Sequence, residues 1–162
     1  MYTTIVYYFR NFIPMKIEEA IRQKKFEHPQ QKAVLNLIYT YNWISSIYEK
    51  FFKSYDLTSQ QYNVLRILRG KYPDHICAGE VKDVMLDKNP DLTRLCDRLL
   101  KKNLIKRETN VHNRRQVLLC ITEDGLALLA KMDPEVGSSL KAKNLDDKEA
   151  LLLSNLLDKM RG

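Results

Sequence analysis

The chain has 162 residues, 44% of them hydrophobic and 29% charged, which suffices for one domain with an appended oligomerisation element and excludes wholesale disorder. A formal charge of +7 favours a polyanionic partner without identifying one. Three widely spaced cysteines form no zinc motif and fit a reducing, cytoplasmic location, so no cofactor or metal is expected. No apolar run is long enough to span a membrane.

The N-terminal third predicts helices that pack on a second subunit. Residues 1–15 are interpreted as an extension or flexible arm, and residues 16–26 as a short helix that stops near His28-Pro29. From 30 to 54 apolar residues recur with a helical period, and Tyr39, Trp43 and Ile47 add a second apolar face. A helix that is apolar on two sides needs two partners, so residues 16–56 are expected to form N-terminal dimerisation helices.

Two shorter helices follow. Thr58 and Gln61 form a capping box for a helix that ends at Gly70, a residue suited to the left-handed position after a helix. A turn then leads to a short helix over about 78–86, with Val81, Val84 and Met85 facing inward.

The next helix carries most of the residues from which a function is predicted below. Asn89 is the expected N-cap and Pro90 the first helical residue of a recognition helix over 90–102. Its buried stripe has helical spacing and consists of Leu92, Leu95, Cys96, Leu99 and Leu100. Asn103 follows, where the backbone must turn left-handed.

Two β segments, 104–109 and 114–121, predict a hairpin whose turn forms a basic tip. Thr122 caps a helix from 123 to about 132, which Pro134 is expected to break or kink, and Asp146 with Glu149 caps a last helix over 147–159. The fold is thus predicted to be mainly α with a small β-hairpin wing, with residues 57–122 as a winged helix-turn-helix and 123–162 as C-terminal dimerisation helices.

Charge concentrates in this central region. Residues 88–115 hold nine basic and three acidic residues, which is typical of a nucleic-acid footprint. One helix fits the major groove of DNA, and a basic hairpin beside it reaches the flanking backbone or the minor groove.

The stretches TRLCDRL at 93–99, KNLIKR at 102–107 and NRRQVLLCITEDG at 113–125 resemble the MarR family of bacterial regulators. MLDKNP at 85–90 is similar to a branch of the family found in Bacteroidetes. Asn103 stands where the family usually has Gly, and Asn113 where it usually has an Asp that orients a wing arginine. The resemblance implies a homodimer that reads a palindromic DNA operator with two winged lobes. It also implies a repressor released by a small aromatic effector.

The residues expected to contact double-stranded DNA lie at the start and outer face of the recognition helix and on the wing (109–116): Lys88, Asn89, Asp91, Thr93, Arg94, Arg98, His112, Asn113, Arg114 and Arg115. Arg94 is the candidate for base readout, since Arg pairs bidentately with guanine, and Arg115 is the main wing candidate. Arg98 either contacts phosphate or pairs with Asp97 or an adjacent lobe. Thr58, Ser59 and Gln60, at the start of the preceding helix, either touch phosphate or only cap that helix.

Three alternatives stay open. Tyr39, Trp43, Tyr48 and Phe52 either line a pocket for the effector or pack in the core and interface. The cysteines Cys77, Cys96 and Cys120 either sense redox state or are packing residues. The chain as a whole is either a DNA-binding regulator or a winged-helix protein–protein module without sequence-specific DNA binding. Enzymatic activity is not expected, because no nucleophile–base pair and no glycine-rich phosphate loop occurs.

Overall fold

The computed structural model describes residues 15–111, 113, 116–139 and 144–162. Apart from Met15, the predicted N-terminal extension lies outside these residues. Within them, seven helices and three strands follow one another: α1 (Ile17–Ala20), α2 (Pro29–Ser54), α3 (Ser59–Arg69), β1 (Ile76–Cys77), α4 (Ala78–Val84), α5 (Leu92–Lys101), β2 (Ile105–Thr109), β3 (Val117–Ile121), α6 (Glu123–Ser139) and α7 (Asp147–Arg161).

The strands form one small antiparallel sheet in the order β1-β3-β2. In the hairpin, Ile105 pairs with Ile121 and Thr109 with Val117. β1 adds only Ile76 and Cys77, which pair with residues 119 and 118 of the central strand. The predicted class, mainly α with a small β wing, is confirmed, and β1 is a third strand that the sequence pattern did not indicate.

The hydrophobic core joins the helix-turn-helix to the sheet. Fully buried side chains come from α2, α3, α5, β3 and α6, namely Phe51, Val64, Leu65, Leu68, Leu99, Leu119, Ile121, Leu129 and Met132. Leu95, Cys96 and Leu99 of α5 are buried in this core, while Leu92 and Leu100 are half-buried against it. The apolar stripe therefore holds α5 to the protein and turns its other side to solvent.

Three predicted helix caps are present. Thr58 Oγ1 accepts from the Gln61 backbone N–H at 3.2 Å, and Gln61 Oε1 accepts from the Thr58 N–H at 2.9 Å. Asp146 and Glu149 make the same reciprocal pair before α7. Thr122 Oγ1 accepts from the Gly125 N–H at 3.1 Å. Each cap satisfies backbone donors that the first helical turn leaves unpaired.

Four details of the predicted elements were wrong. The helix predicted over 16–26 is the single turn α1, and Arg22 just after it has a left-handed φ of 54°. Gly70 ends α3 with a right-handed φ of −65°, so no left-handed residue is needed there. Val84, expected to face inward, is 61% exposed because α4 ends at that residue.

The fourth concerns the end of α6, which was expected near residue 132: Pro134 does not break the helix. The helix continues to Ser139 because Met132 and Val136, on either side of the proline, are both buried in the core. Tertiary packing thus outweighs the loss of one helical hydrogen bond.

Candidate nucleic-acid interface

The recognition helix begins two residues later than predicted. Asp91 is its N-cap, because Asp91 Oδ1 accepts from the Arg94 backbone N–H at 3.1 Å. Asn89, the predicted cap, instead donates its backbone N–H to Asp87 Oδ1 at 3.0 Å, and Pro90 is buried in the connecting loop rather than helical. The Asp91 carboxylate is therefore engaged by its own helix, and Thr93 and Arg94 lie in the first turn of α5.

The outer face of α5 carries exposed polar and cationic side chains. Thr93, Arg94, Arg98 and Lys101 are exposed, and the last three follow one side of the helix at spacings of four and three residues. In the ranges that the structure describes, neither Arg94 nor Arg98 makes an ion pair. The guanidinium groups on this face are thus available to an external anion.

An open cleft of about 340 Å³ lies beside this face. Its lining comes from the start of α3, the loop before α5 and α5 itself: Gln60, Asn89, Asp91, Arg94, Leu95 and Arg98. Four predicted contact residues, from Asn89 to Arg98, therefore share one concave surface. Lys88 is exposed and adjoins it in the chain.

Two carboxylates neutralise other cations of the basic region. Asp97 Oδ1 lies 2.8 Å from Arg107 Nη1, so α5 is tied to β2. Lys102 Nζ lies 2.8 Å from Asp56 Oδ2. Of the alternatives for Arg98, pairing with Asp97 is thus wrong, because Arg107 occupies that carboxylate.

The loop before α5 contains a contact that sequence reasoning missed. The carboxylate of Asp87 accepts hydrogen bonds from the Gln60 side-chain amide and from the Asn89 backbone N–H. The sequence pattern gave no signal for the contact with Gln60, since Gln60 and Asp87 are 27 positions apart in the chain.

The wing turn is closed by its own hydrogen bonds. The Asn110 N–H donates to Gln116 O at 3.1 Å, and the Asn110 side-chain amide donates to Gln116 Oε1 at 2.9 Å. Asn113 is exposed, donates its N–H to Asn110 O and accepts from the Gln116 N–H at 2.8 Å. The other predicted wing contacts, His112, Arg114 and Arg115, lie outside the described residues.

A family model described as Transcriptional regulator SarA/Rot matches residues 46–132, more than half of the chain. MarR from Salmonella typhimurium, the multiple antibiotic resistance protein, is 35% identical over 113 residues, which is 65% of this chain and 74% of that protein. The chain belongs to the MarR family of transcriptional regulators. It is therefore a DNA-binding regulator with a winged helix-turn-helix.

Solved structures agree with this membership. A MarR transcription factor from Planctomyces limnophilus aligns with a TM-score of 0.64 at 32% identity, covering 85% of this chain and 96% of that one. A Cys-to-Ser mutant of MarR from E. coli, solved in complex with operator DNA, aligns with a TM-score of 0.66 at 30% identity, covering 77% and 91%.

The cysteines of this MarR-family chain differ in their surroundings. Burial raises the pKa of the Cys96 thiol to about 11, and burial also raises the pKa of Cys120. Both thiols therefore remain protonated near neutral pH, which opposes reactivity. Cys77 is half-buried in β1. The part of the chain that the structure describes contains no group of His, Cys, Asp and Glu side chains suited to a metal, and no helix long and apolar enough to cross a membrane.

The four aromatics proposed to line an effector pocket have unequal environments. Phe52 is buried and stacks on Tyr62 at 4.6 Å and on Tyr48 at 5.7 Å between ring centroids. Tyr39 is 39% exposed, and Trp43 is half-buried against the core. Phe52 thus packs in the hydrophobic core, and the effector pocket stays a prediction.

Proposed function

We propose that this MarR-family regulator is a homodimeric repressor that binds a palindromic operator, with α5 in the major groove and the 109–116 wing on the flanking DNA. The observation that carries the proposal is the outer face of α5. Arg94 and Arg98 are exposed beside an open cleft without an internal ion pair, while the opposite face of the same helix is buried in the core. A helix held by its buried face can present its exposed first turns to the major groove.

The exposed apolar faces support the dimer. In α7, Leu151, Leu152, Leu153, Leu156 and Met160 are each at least 47% exposed, and the helix has no buried residue. In the first half of α2, Ile38 is 51% and Tyr41 66% exposed. Apolar faces of this extent mark interaction surfaces. In the proposed dimer, two copies pair through the 16–56 and 123–162 segments. Half-sites one turn of DNA apart then require the two recognition helices to lie roughly 34–36 Å apart.

Each predicted contact residue receives a role in this proposal except Asp91, whose carboxylate caps α5. Arg94 reads a base edge, and Arg98 contacts phosphate from the cleft. Lys88 and the Asn89 side chain lie just before the helix N-terminus, where phosphate is favoured. Thr93 lies beside Arg94 in the first turn and faces the same groove. On the wing, Arg115 is proposed as the main contact, with Arg114, His112 and Asn113 beside it.

The alternative of a protein–protein module gains no support from α5, because its outer face is cationic rather than apolar. We propose regulation without catalysis, in the cytoplasm, where the DNA of a bacterial cell lies.

Selection of bound duplexes from a random pool tests the proposal. The unaltered protein should enrich a palindromic motif. Arg94→Ala should change the preferred base at one position of each half-site, at a cost of roughly 1–3 kcal/mol for the preferred sequence. Lys71→Ala is the matched control, because it removes an exposed cation from the turn after α3, outside the proposed interface. Enrichment of no motif, or an unaltered motif with Arg94→Ala, would refute the assignment.

The wing is tested in the same selection. Arg115→Ala should weaken binding to all sequences about equally and reduce the dependence of log affinity on log salt by about 0.9, the contribution of one phosphate contact. A changed base preference with an unaltered salt slope would contradict the wing role.

The effector is proposed to be a small aromatic compound that binds near Tyr39 and Trp43. Trp43 is the only tryptophan of the chain, so its fluorescence reports binding there directly. Titration with substituted phenols should quench this emission and release DNA over the same concentration range. Release of DNA without a fluorescence change would place the effector elsewhere.

A further inference from the structure

We propose that Asp87 is a positioning residue for DNA binding, which fixes the distance between the start of α3 and the recognition helix. The inference rests on the proposed function, because it concerns the same surface. Asp87 itself is not a proposed DNA contact.

The two oxygens of Asp87 connect both sides of the cleft. Oδ2 accepts from the side-chain amide of Gln60, which is the second residue of α3. Oδ1 accepts from the backbone N–H of Asn89 at 3.0 Å, two residues before the α5 N-cap. Gln60 and Asn89 both line the cleft that contains Arg94 and Arg98. One half-buried carboxylate therefore connects the two segments that border the cationic site.

These contacts are needed because little else orders the loop from Met85 to Asp91. Only Met85 and Pro90 of this loop are buried, whereas Leu86 is 84% exposed. The loop directly precedes α5, so the course of its backbone determines the position of Arg94 in the first turn of that helix. Without the Asp87 hydrogen bonds, the Asn89 N–H and the Gln60 amide would turn to water, and the cleft would lose its fixed width.

Electrostatics and positioning predict opposite results for the same substitution. A carboxylate near the DNA phosphates repels them, so its removal alone should strengthen binding slightly. If Asp87 orders the site instead, Asp87→Ala should weaken binding to the selected operator by roughly tenfold, the effect expected for losing hydrogen bonds to a charged group. The sign of the change therefore decides between the two explanations.

The experiment measures operator affinity of the full-length protein for Asp87→Ala, Asp87→Asn and the control Asp83→Ala. Asp83 is an exposed carboxylate of α4, so its removal changes the charge equally without a contact to the cleft. Asp83→Ala should bind as the unaltered protein does, or slightly tighter. Asp87→Asn keeps an acceptor for Asn89, and the Gln60 amide can rotate to accept from the new amide, so affinity should stay within roughly threefold.

A double-mutant cycle with Gln60→Ala completes the test. Because Gln60 is a partner of Asp87, the losses from Gln60→Ala and Asp87→Ala should not add. Thermal midpoints of all variants are measured in parallel, and affinities are compared at a temperature at which every variant is folded, so that a loss of stability is not mistaken for a loss of binding. If Asp87→Ala unfolds, Gln60→Ala decides the question with Asp87→Asn as its reference: weaker binding by Gln60→Ala than by Asp87→Asn supports the positioning role, and equal binding overturns it.

The outcomes separate the inference from the function on which it rests. Asp87→Ala that binds as tightly as Asp83→Ala, or losses that add fully with Gln60→Ala, would overturn the positioning role alone. Failure of the unaltered protein to select any duplex would instead overturn the proposed function.

Discussion

Substitution of Gly125 tests how the wing is attached to the recognition helix. Gly125 is the third residue of α6, and it packs on the backbone that leaves α5. An added Cβ would lie 2.4 Å from the carbonyl oxygen of Leu104 and 2.7 Å from Cγ1 of Ile121, whereas observed Cβ contacts essentially never fall below 3.0 Å. The carbonyl belongs to the main chain and already accepts from the Thr122 N–H at 3.1 Å, so moving it away from the new Cβ would weaken that hydrogen bond.

The magnitude follows from two opposing effects. Replacing a helical glycine with alanine favours the helix by up to about 1 kcal/mol. Overpacking a filled site costs about 1–3 kcal/mol, and loss of the Leu104–Thr122 hydrogen bond adds about 1 kcal/mol. Gly125→Ala should therefore destabilise the protein by about 1–3 kcal/mol, which lowers the thermal midpoint by about 2–4 °C per kcal/mol in a chain of this size.

Gly137 provides the matched control in the same helix. No atom lies within 4 Å of the position where its Cβ would be, so Gly137→Ala should stabilise the protein by about 0.5–1 kcal/mol. Both variants are unfolded by heat and by urea at one fixed protein concentration, since dimerisation makes the midpoint concentration-dependent. Equal or higher stability for Gly125→Ala would show that the close approach to Leu104 is not rigid, and the reasoning would be wrong.

Three further predictions concern charge, ionisation and assembly. The Asp97–Arg107 pair is about half exposed, so a double-mutant cycle by urea unfolding should give a coupling free energy below about 1 kcal/mol that declines with salt. A coupling free energy above about 2 kcal/mol would contradict this. The pKa of Cys96 is about 11 in the folded protein, against an ordinary value of 9.0, so the unfolded chain loses this proton at a lower pH than the folded protein does. The free energy of unfolding should therefore fall as the pH rises from 9 to 11. In urea titrations the fall should be smaller for Cys96→Ala. Leu152→Asp combined with Leu156→Asp should convert a dimer into a 19.1 kDa monomer in sedimentation experiments, and a persisting dimer would exclude α7 from the interface.

The elements that could be predicted are those whose sequence signals lie within three or four positions of one another. The capping pairs Thr58 with Gln61 and Asp146 with Glu149 are local signals, and both helices begin where the pairs indicate. The stripe of α5 repeats every three or four positions, and the structure buries Leu95, Cys96 and Leu99 as expected. Such features need no knowledge of distant parts of the chain.

The start of α5 could not be settled in this way, because two caps compete. Asn89 and Asp91 are both able to cap, and the proline after Asn89 favours the earlier site. The structure uses Asp91, whose side chain accepts from the Arg94 N–H, while Pro90 is buried in the loop before the helix. The residue types at 89 and 91 suit a cap equally well, so the sequence alone does not distinguish the two starts.

Strand β1 was missed for a similar reason. Two residues are too few for an alternating pattern, and the strand exists only because Ile76 and Cys77 pair with the central strand of the wing about forty positions later. The continuation of α6 through Pro134 likewise depends on burial on both sides of the proline, which only the assembled core supplies.

At the candidate nucleic-acid interface, the composition of the sequence does not show which basic residues the fold pairs with carboxylates. The excess of basic residues over 88–115 indicated a DNA-binding surface, but an excess does not say which cations are available. Asp97 lies next to Arg98 in the chain, yet it pairs with Arg107, because β2 lies alongside α5 and brings that guanidinium to 2.8 Å. Arg98 is therefore left facing the cleft with Arg94. The pairing of Asp97 with Arg107 thus neutralises one arginine of the basic region within the fold, whereas Arg98 makes no ion pair among the described residues. The proposed DNA-binding surface therefore depends on which cations the fold pairs internally as well as on which it exposes.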